Sequence, residues 1–189
     1  MIKKALFSAA LLWSMSASAQ LDSGYYLGAS LGKLDYGDNA FGRSISDSTN
    51  FNRIYGGFRF DDIWALEANY GQSGLLEWRE SAFLPGTGTY SADVAANWDI
   101  FQVRGIAHLK KFYGGVAYWR ANIDFDVLLT DPVSGRSIFS TSDDDTGYSF
   151  IVGGEWELDE WAIRGEYEYF DTDSGVDISI LSFGAHLKF

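Results

Sequence analysis

Arg53, Arg59, Arg104, Arg120 and Arg164, together with Glu67, Glu155, Glu157, Glu166 and Glu168, are the residues of this chain best placed to do chemistry. They sit in segments where charged and apolar residues alternate, so an extended strand aims the charges at one face. Charges of both signs gathered away from water must pair, because an isolated buried charge is costly. Two outcomes follow. One is a salt-bridge plug that fills a narrow interior. The other is a gated ion path in which pairs exchange partners, with Glu67 as the candidate gate.

Other constellations are weaker. The two histidines, His108 and His186, are too scattered to suggest a metal centre. Asp143, Asp144 and Asp145 offer oxygen ligands for Ca²⁺ or Mg²⁺. They are weak candidates, since solvated, self-repelling charge is the ordinary reading of such a run. The expectation is no metal and no cofactor. No catalytic residue is assigned, and the chain reads as a non-enzyme.

The charges need strands to carry them. Alternating segments fall near 24–33, 51–60, 63–72, 92–109, 112–123, 147–158, 161–170 and 177–189. Asp61-Asp62, Lys110-Lys111 and Asp159-Glu160 punctuate them as tight turns. Polar stretches near 34–50, 73–91, 124–146 and 171–176 read as longer loops, rich in acidic residues. In the segment 161–170, Ile163, Tyr167 and Tyr169 take one face, and Arg164, Glu166 and Glu168 the other. Arg104, His108 and Arg120 are expected to point in as well. Gly24, Gly28 and Gly32 share one strand face, where they leave room for long neighbouring side chains.

The ends say what the two faces meet. Lys3 and Lys4, an apolar stretch from Ala5 to Met15 and Ala17-Ser18-Ala19 form a signal-peptide pattern over residues 1–19. Residues 20–189 are then the expected mature domain. They contain no apolar run long enough for a spanning helix, so a membrane crossing requires a closed barrel. Phe183, Ala185, Leu187 and Phe189 alternate with Ser182, Gly184, His186 and Lys188, which suits lipid on one side and a polar bore on the other. Aromatic residues make up 17% of the chain and cysteine is absent, so strand pairing rather than disulfides must hold it together. A net charge of −12 excludes a typical nucleic-acid binder.

Several pieces resemble the OmpA/OmpX-type family of small outer-membrane barrels. They are Ile54-Tyr55-Gly56-Gly57-Phe58-Arg59-Phe60 running into Trp64-Ala65-Leu66-Glu67-Ala68-Asn69-Tyr70, the segment Gly165-Glu166-Tyr167-Glu168-Tyr169, and the terminal strand. Ser182, Gly184, Leu187 and Phe189 are similar to the C-terminal signal read by the barrel-insertion machinery. The resemblance implies an all-β, eight-stranded antiparallel transmembrane up-and-down β-barrel in the Gram-negative outer membrane. It implies short periplasmic turns, long outer loops and both termini in the periplasm. Nothing follows Phe189 in this sequence, so the peptidoglycan-binding domain of OmpA is not expected. Lipid A acyltransferase and deacylase barrels have similar size but need a histidine near the outer rim, and the outer stretches here hold none. The expected role is structural or surface-interacting, as a monomer among outer-membrane lipids and lipopolysaccharide. A small, weakly conducting pore and a soluble exported ligand-binding barrel are the alternatives.

Overall fold

The computed structural model describes residues 24–38, 45–84, 88–131, 135–172 and 176–189. The expected signal segment, residues 1–19, lies outside them. The described residues form strands β1 (Gly24–Asp38), β2 (Ile45–Arg59), β3 (Trp64–Ser73), β4 (Leu76–Leu84), β5 (Gly88–Leu109), β6 (Phe112–Asp131), β7 (Gly135–Leu158), β8 (Trp161–Asp171) and β9 (Asp177–Lys188).

Every pairing is antiparallel, and β9 returns to pair with β1. Both β3 and β4 pair with β5, β3 against Asp99–Ala107 and β4 against Gly88–Ala96. The two are therefore one stave interrupted at Gly74 and Leu75, where the Gly74 amide instead donates to the Asn50 carbonyl at 2.7 Å. The nine strands make a ring of eight staves in up-and-down order. A closed ring leaves no backbone edge facing lipid, which is the condition for crossing a membrane with strands.

The alternation read from the sequence sorts side chains as expected. Ile54, Leu66, Val103, Phe150, Tyr167 and Phe183 are exposed on the outer wall. Arg53, Glu67, Arg104, Arg164, Glu166 and Glu168 are buried inside. Trp156 is 51% exposed whereas Trp119 is 0% exposed, so even the tryptophans divide by parity. On β5 the outward apolar run goes from Phe101 to Leu109. At ~3.3 Å per residue and a tilt of ~40° it spans roughly 20 Å, close to the apolar height such barrels present to lipid.

One end of the ring carries the tight turns at Asp61-Asp62, Lys110-Lys111 and Asp159-Glu160, and the described ends, Gly24 and Phe189, lie at this end too. Lys110 and Asp159 adopt left-handed backbone, φ 57° and 48°, which lets each hairpin reverse in two residues. At the Asp61 turn the side chain does the work, accepting from the Ile63 amide at 2.8 Å and the Trp64 amide at 2.7 Å.

The opposite end departs from expectation. The stretches 73–91 and 124–146 are largely strand, not loop, and much of 34–50 is strand as well. Leu76, Trp78, Val94, Phe125, Val127 and Phe139 alternate along one face of them and hold the hairpins β4–β5 and β6–β7 in register far past the apolar band. Polar composition suggested loops; pairing between alternating apolar residues extends the sheet.

Inward-facing glycines let this narrow ring close. A Cβ on Gly28 would lie 2.5 Å from the Ala185 carbonyl oxygen, 2.5 Å from the His186 Cβ and 2.6 Å from the Tyr55 ring.

Candidate functional site

The inward residues of β5 give the order of layers from the tight-turn end: His108, Ile106, Arg104, Gln102, Ile100, Trp98. Each lies two residues beyond the last, as a strand face requires.

At the Arg104 and Gln102 levels lies a closed ion network. Arg53 on β2 donates to Glu166 at 2.5 Å and to Glu168 at 2.7 Å. Arg104 donates to Glu166 at 2.8 Å, to Glu67 at 3.4 Å and to Glu168. Arg164 on β8 makes two bonds to Glu67 on β3, at 2.6 and 3.1 Å, and its guanidinium stacks 3.5 Å from the centre of the Tyr55 ring. Arginine suits this task because its planar fork meets two carboxylate oxygens at once.

Neutral groups finish the network. Tyr26 donates to Glu67 at 3.2 Å and Tyr113 to Glu166 at 3.0 Å. Gln102 and Ser149 each donate to Glu168 at 2.6 Å. Reading the charges alone misses these four residues. Parity finds Gln102 and Ser149, which share a strand face with the buried Arg104 and Glu155; Tyr26 and Tyr113 lie on strands whose inner faces carry no charge, so charge parity gives no sign of them.

Nearer the tight turns is a second, wetter cluster. Arg59 reaches Glu155 at 2.7 Å and Glu157 at 3.0 Å, and Lys188 reaches Glu157 at 3.2 Å. His108 lies 3.3 Å from Arg59, and His186 lies 4.0 Å from Glu155. Glu157 is half exposed at the mouth rather than within the closed network.

Two sequence expectations meet a different geometry. Arg120 was expected inside; it is exposed on the outer wall and pairs with Asp144 at 2.8 Å. Arg120 faces the same way as the exposed Tyr118, two residues earlier, and opposite to the buried Trp119. The three aspartates named as weak cation ligands are divided by strand alternation. Asp144 turns outward, whereas Asp143 and Asp145 share the inner face with Ile123 and Ala121, their cross-strand partners.

Beyond the ions the bore is apolar. Phe51, Ile100, Trp98, Trp119, Phe170 and Ile180 pack into one buried cluster toward the extended hairpins. Trp119 and Phe170 meet edge to face with ring centres 5.6 Å apart. The sequence reading lined the bore with charges and did not anticipate this apolar layer. The same parity puts Phe51 and Phe170 inside, two residues beyond Arg53 and Glu168 respectively.

The Ser182 side chain is buried inside, and β9 pairs Gly184 with Ser30 and Leu187 with Leu27 of β1. The Phe189 amide donates to the Tyr25 carbonyl at 2.9 Å. These residues make the closing seam of the ring.

A ring of eight staves with an apolar outer wall and a charged bore is the architecture of small membrane barrels. The outer membrane protein beta-barrel domain matches residues 5–189. The chain belongs to that outer-membrane β-barrel family.

Family membership indicates the outer membrane. The attachment invasion locus protein Ail of Yersinia pestis is 14% identical, with 88% of this chain and 99% of Ail covered and a TM-score of 0.54. The same protein in complex with the heparin analogue sucrose octasulfate gives 13% identity, coverage of 88% and 99%, and a TM-score of 0.52. Neisserial surface protein A is 16% identical, covering 88% of this chain and 98% of its own, with a TM-score of 0.50. At these identities the likeness is one of fold. No curated protein matches the sequence.

Proposed function

We propose that this outer-membrane barrel is a monomeric, non-enzymatic surface protein. Both termini face the periplasm, and the hairpins β4–β5 and β6–β7 stand outside the cell. The observation that carries this reading is the contrast between a bore closed by two successive layers and a sheet that runs on well past the lipid band. A closed bore leaves little for transport. A rigid, protruding sheet is suited to contact.

The outward face of that sheet holds Glu77, Asp93, Asp99, Asp124, Asp126 and Asp144 against few basic residues. It therefore favours a cationic partner. Sulfated polyanions of the kind seen with Ail would meet repulsion here. Lipids cover the apolar wall, and divalent cations bridge the acidic rim to lipopolysaccharide phosphates. Ser182, Gly184, Leu187 and Phe189 serve the insertion machinery.

The test uses the absence of native cysteine. Ser137→Cys and Lys110→Cys variants are treated with an impermeant maleimide on intact cells. Labelling at position 137 and none at 110 supports the reading; the reverse overturns the orientation. Planar-bilayer recordings supply the second arm. Steady ion steps abolished by Glu67→Gln would replace the surface role with a pore.

A further inference from the structure

The extended sheet leaves a pocket at the mouth of the bore opposite the tight turns. Its floor is the top of the apolar cluster, Trp98, Ile123 and Ile178, with Phe125 alongside. Tyr36 closes one side, its ring meeting the Trp98 ring edge-on with centres 6.4 Å apart. The opposite wall is β7 past its last pair with β8, Tyr148 with Asp171. All three aspartates border the pocket; Asp143 and Asp145 share the inner strand face, and the Asp144 side chain turns outward to Arg120.

Among the described residues, the charge of this wall is not neutralised from within. Arg120 takes Asp144 on the outer face. Asp143 accepts from the Asp144 amide at 2.9 Å, and Asp145 from the Thr146 amide at 2.8 Å. Among the described residues no arginine or lysine pairs with either one. A pocket with aromatic rings on one side and, on the other, two carboxylates that have no basic partner among the described residues matches one ligand chemistry, a cation carried on an apolar body. The rings attract the positive charge and cover the hydrocarbon, while the carboxylates supply the counter-charge. An inorganic ion would find no use for the aromatic floor, and a neutral apolar molecule none for the aspartates.

We infer that this mouth pocket binds a small organic cation, an alkylammonium. The ammonium sits between Asp143 and Asp145, and the alkyl chain lies over Trp98 and Phe125. This site is separate from the outward acidic face and is independent of which way the barrel is oriented.

The refolded full barrel in lipid nanodiscs is titrated with hexylammonium, with hexanol and hexanesulfonate as matched probes. Tryptophan fluorescence and calorimetry report binding. The expected result is a saturable response to hexylammonium alone, weakened at least tenfold in Asp143→Asn/Asp145→Asn and weakened by added salt. Phe125→Leu, which keeps bulk but removes the ring, lowers affinity severalfold. Heat-dependent gel mobility confirms that each variant is folded. Equal responses to hexylammonium and hexanol, or unchanged affinity in the double aspartate variant, would overturn the inference.

Discussion

Glu67 and Arg164 meet in a two-bond ion pair from opposite sides of the barrel. In the ring order β1, β2, β3, β5, β6, β7, β8, β9, strand β3 lies four staves from β8 in either direction. The pair at 2.6 and 3.1 Å thus ties the wall across its full diameter. Arg104 joins it to Glu166 and Glu168, so the strut is part of a charge-balanced web rather than a single contact.

Breaking the strut leaves a buried guanidinium short of its counter-charge. Glu67→Ala is expected to cost about 3–5 kcal/mol, the range for removing one partner of a buried pair. Glu67→Gln keeps an acceptor and costs less. Unfolding in urea, followed by the heat-dependent gel shift, measures both. A loss below about 1 kcal/mol for Glu67→Ala would mean that water already reaches Arg164.

Space inside the ring makes a second contrast. Gly28→Ala places a Cβ against backbone and two side chains, and is expected to destabilise by about 1–3 kcal/mol or to prevent closure. Gly105→Ala points into open space on the outer wall, with nothing within 4 Å, and is expected to be nearly neutral. The refolded fraction in detergent distinguishes the two.

Asp61 yields a pH prediction at the tight turn. The Trp64 amide first, then the Ile63 amide, stabilises its ionised carboxylate and lowers its pKa from the ordinary value. Its contribution is therefore fully present above the unfolded aspartate pKa of about 3.9, and is lost as pH falls through the lower folded value. The urea midpoint of wild type should exceed that of Asp61→Ala at neutral pH, with the gap narrowing below about pH 3. A gap independent of pH would assign the turn's stability to something other than this carboxylate.

Much of this fold is legible in the sequence because strand alternation has a period of two and the two faces differ sharply. Arg164, Glu166 and Glu168 against Ile163, Tyr167 and Tyr169 can be read directly. Arg120 is harder, because the alternating run there passes from the lipid band into water. Beyond Tyr118 an outward residue is free to be charged, so charge no longer marks the inner face. The hairpins were obscured for the same reason. Outside lipid both sheet faces tolerate polar residues, and Ser140, Ser142 and Asp144 look like loop although they pair in register with Asp126, Asp124 and Asn122. The ion network's partners were legible only as lists of like-facing residues. Which arginine meets which glutamate depends on stave order across the ring, which linear spacing does not encode.

Tryptophan depth measures the central claim most directly, because one residue type lies on both sides of the wall. Two variants, each keeping one tryptophan, Trp156 or Trp119, are refolded into bilayers containing brominated acyl chains. Strong quenching of Trp156 with Trp119 shielded is the predicted result. Quenching of Trp119 with Trp156 protected would place the apolar face inside and contradict the barrel described above.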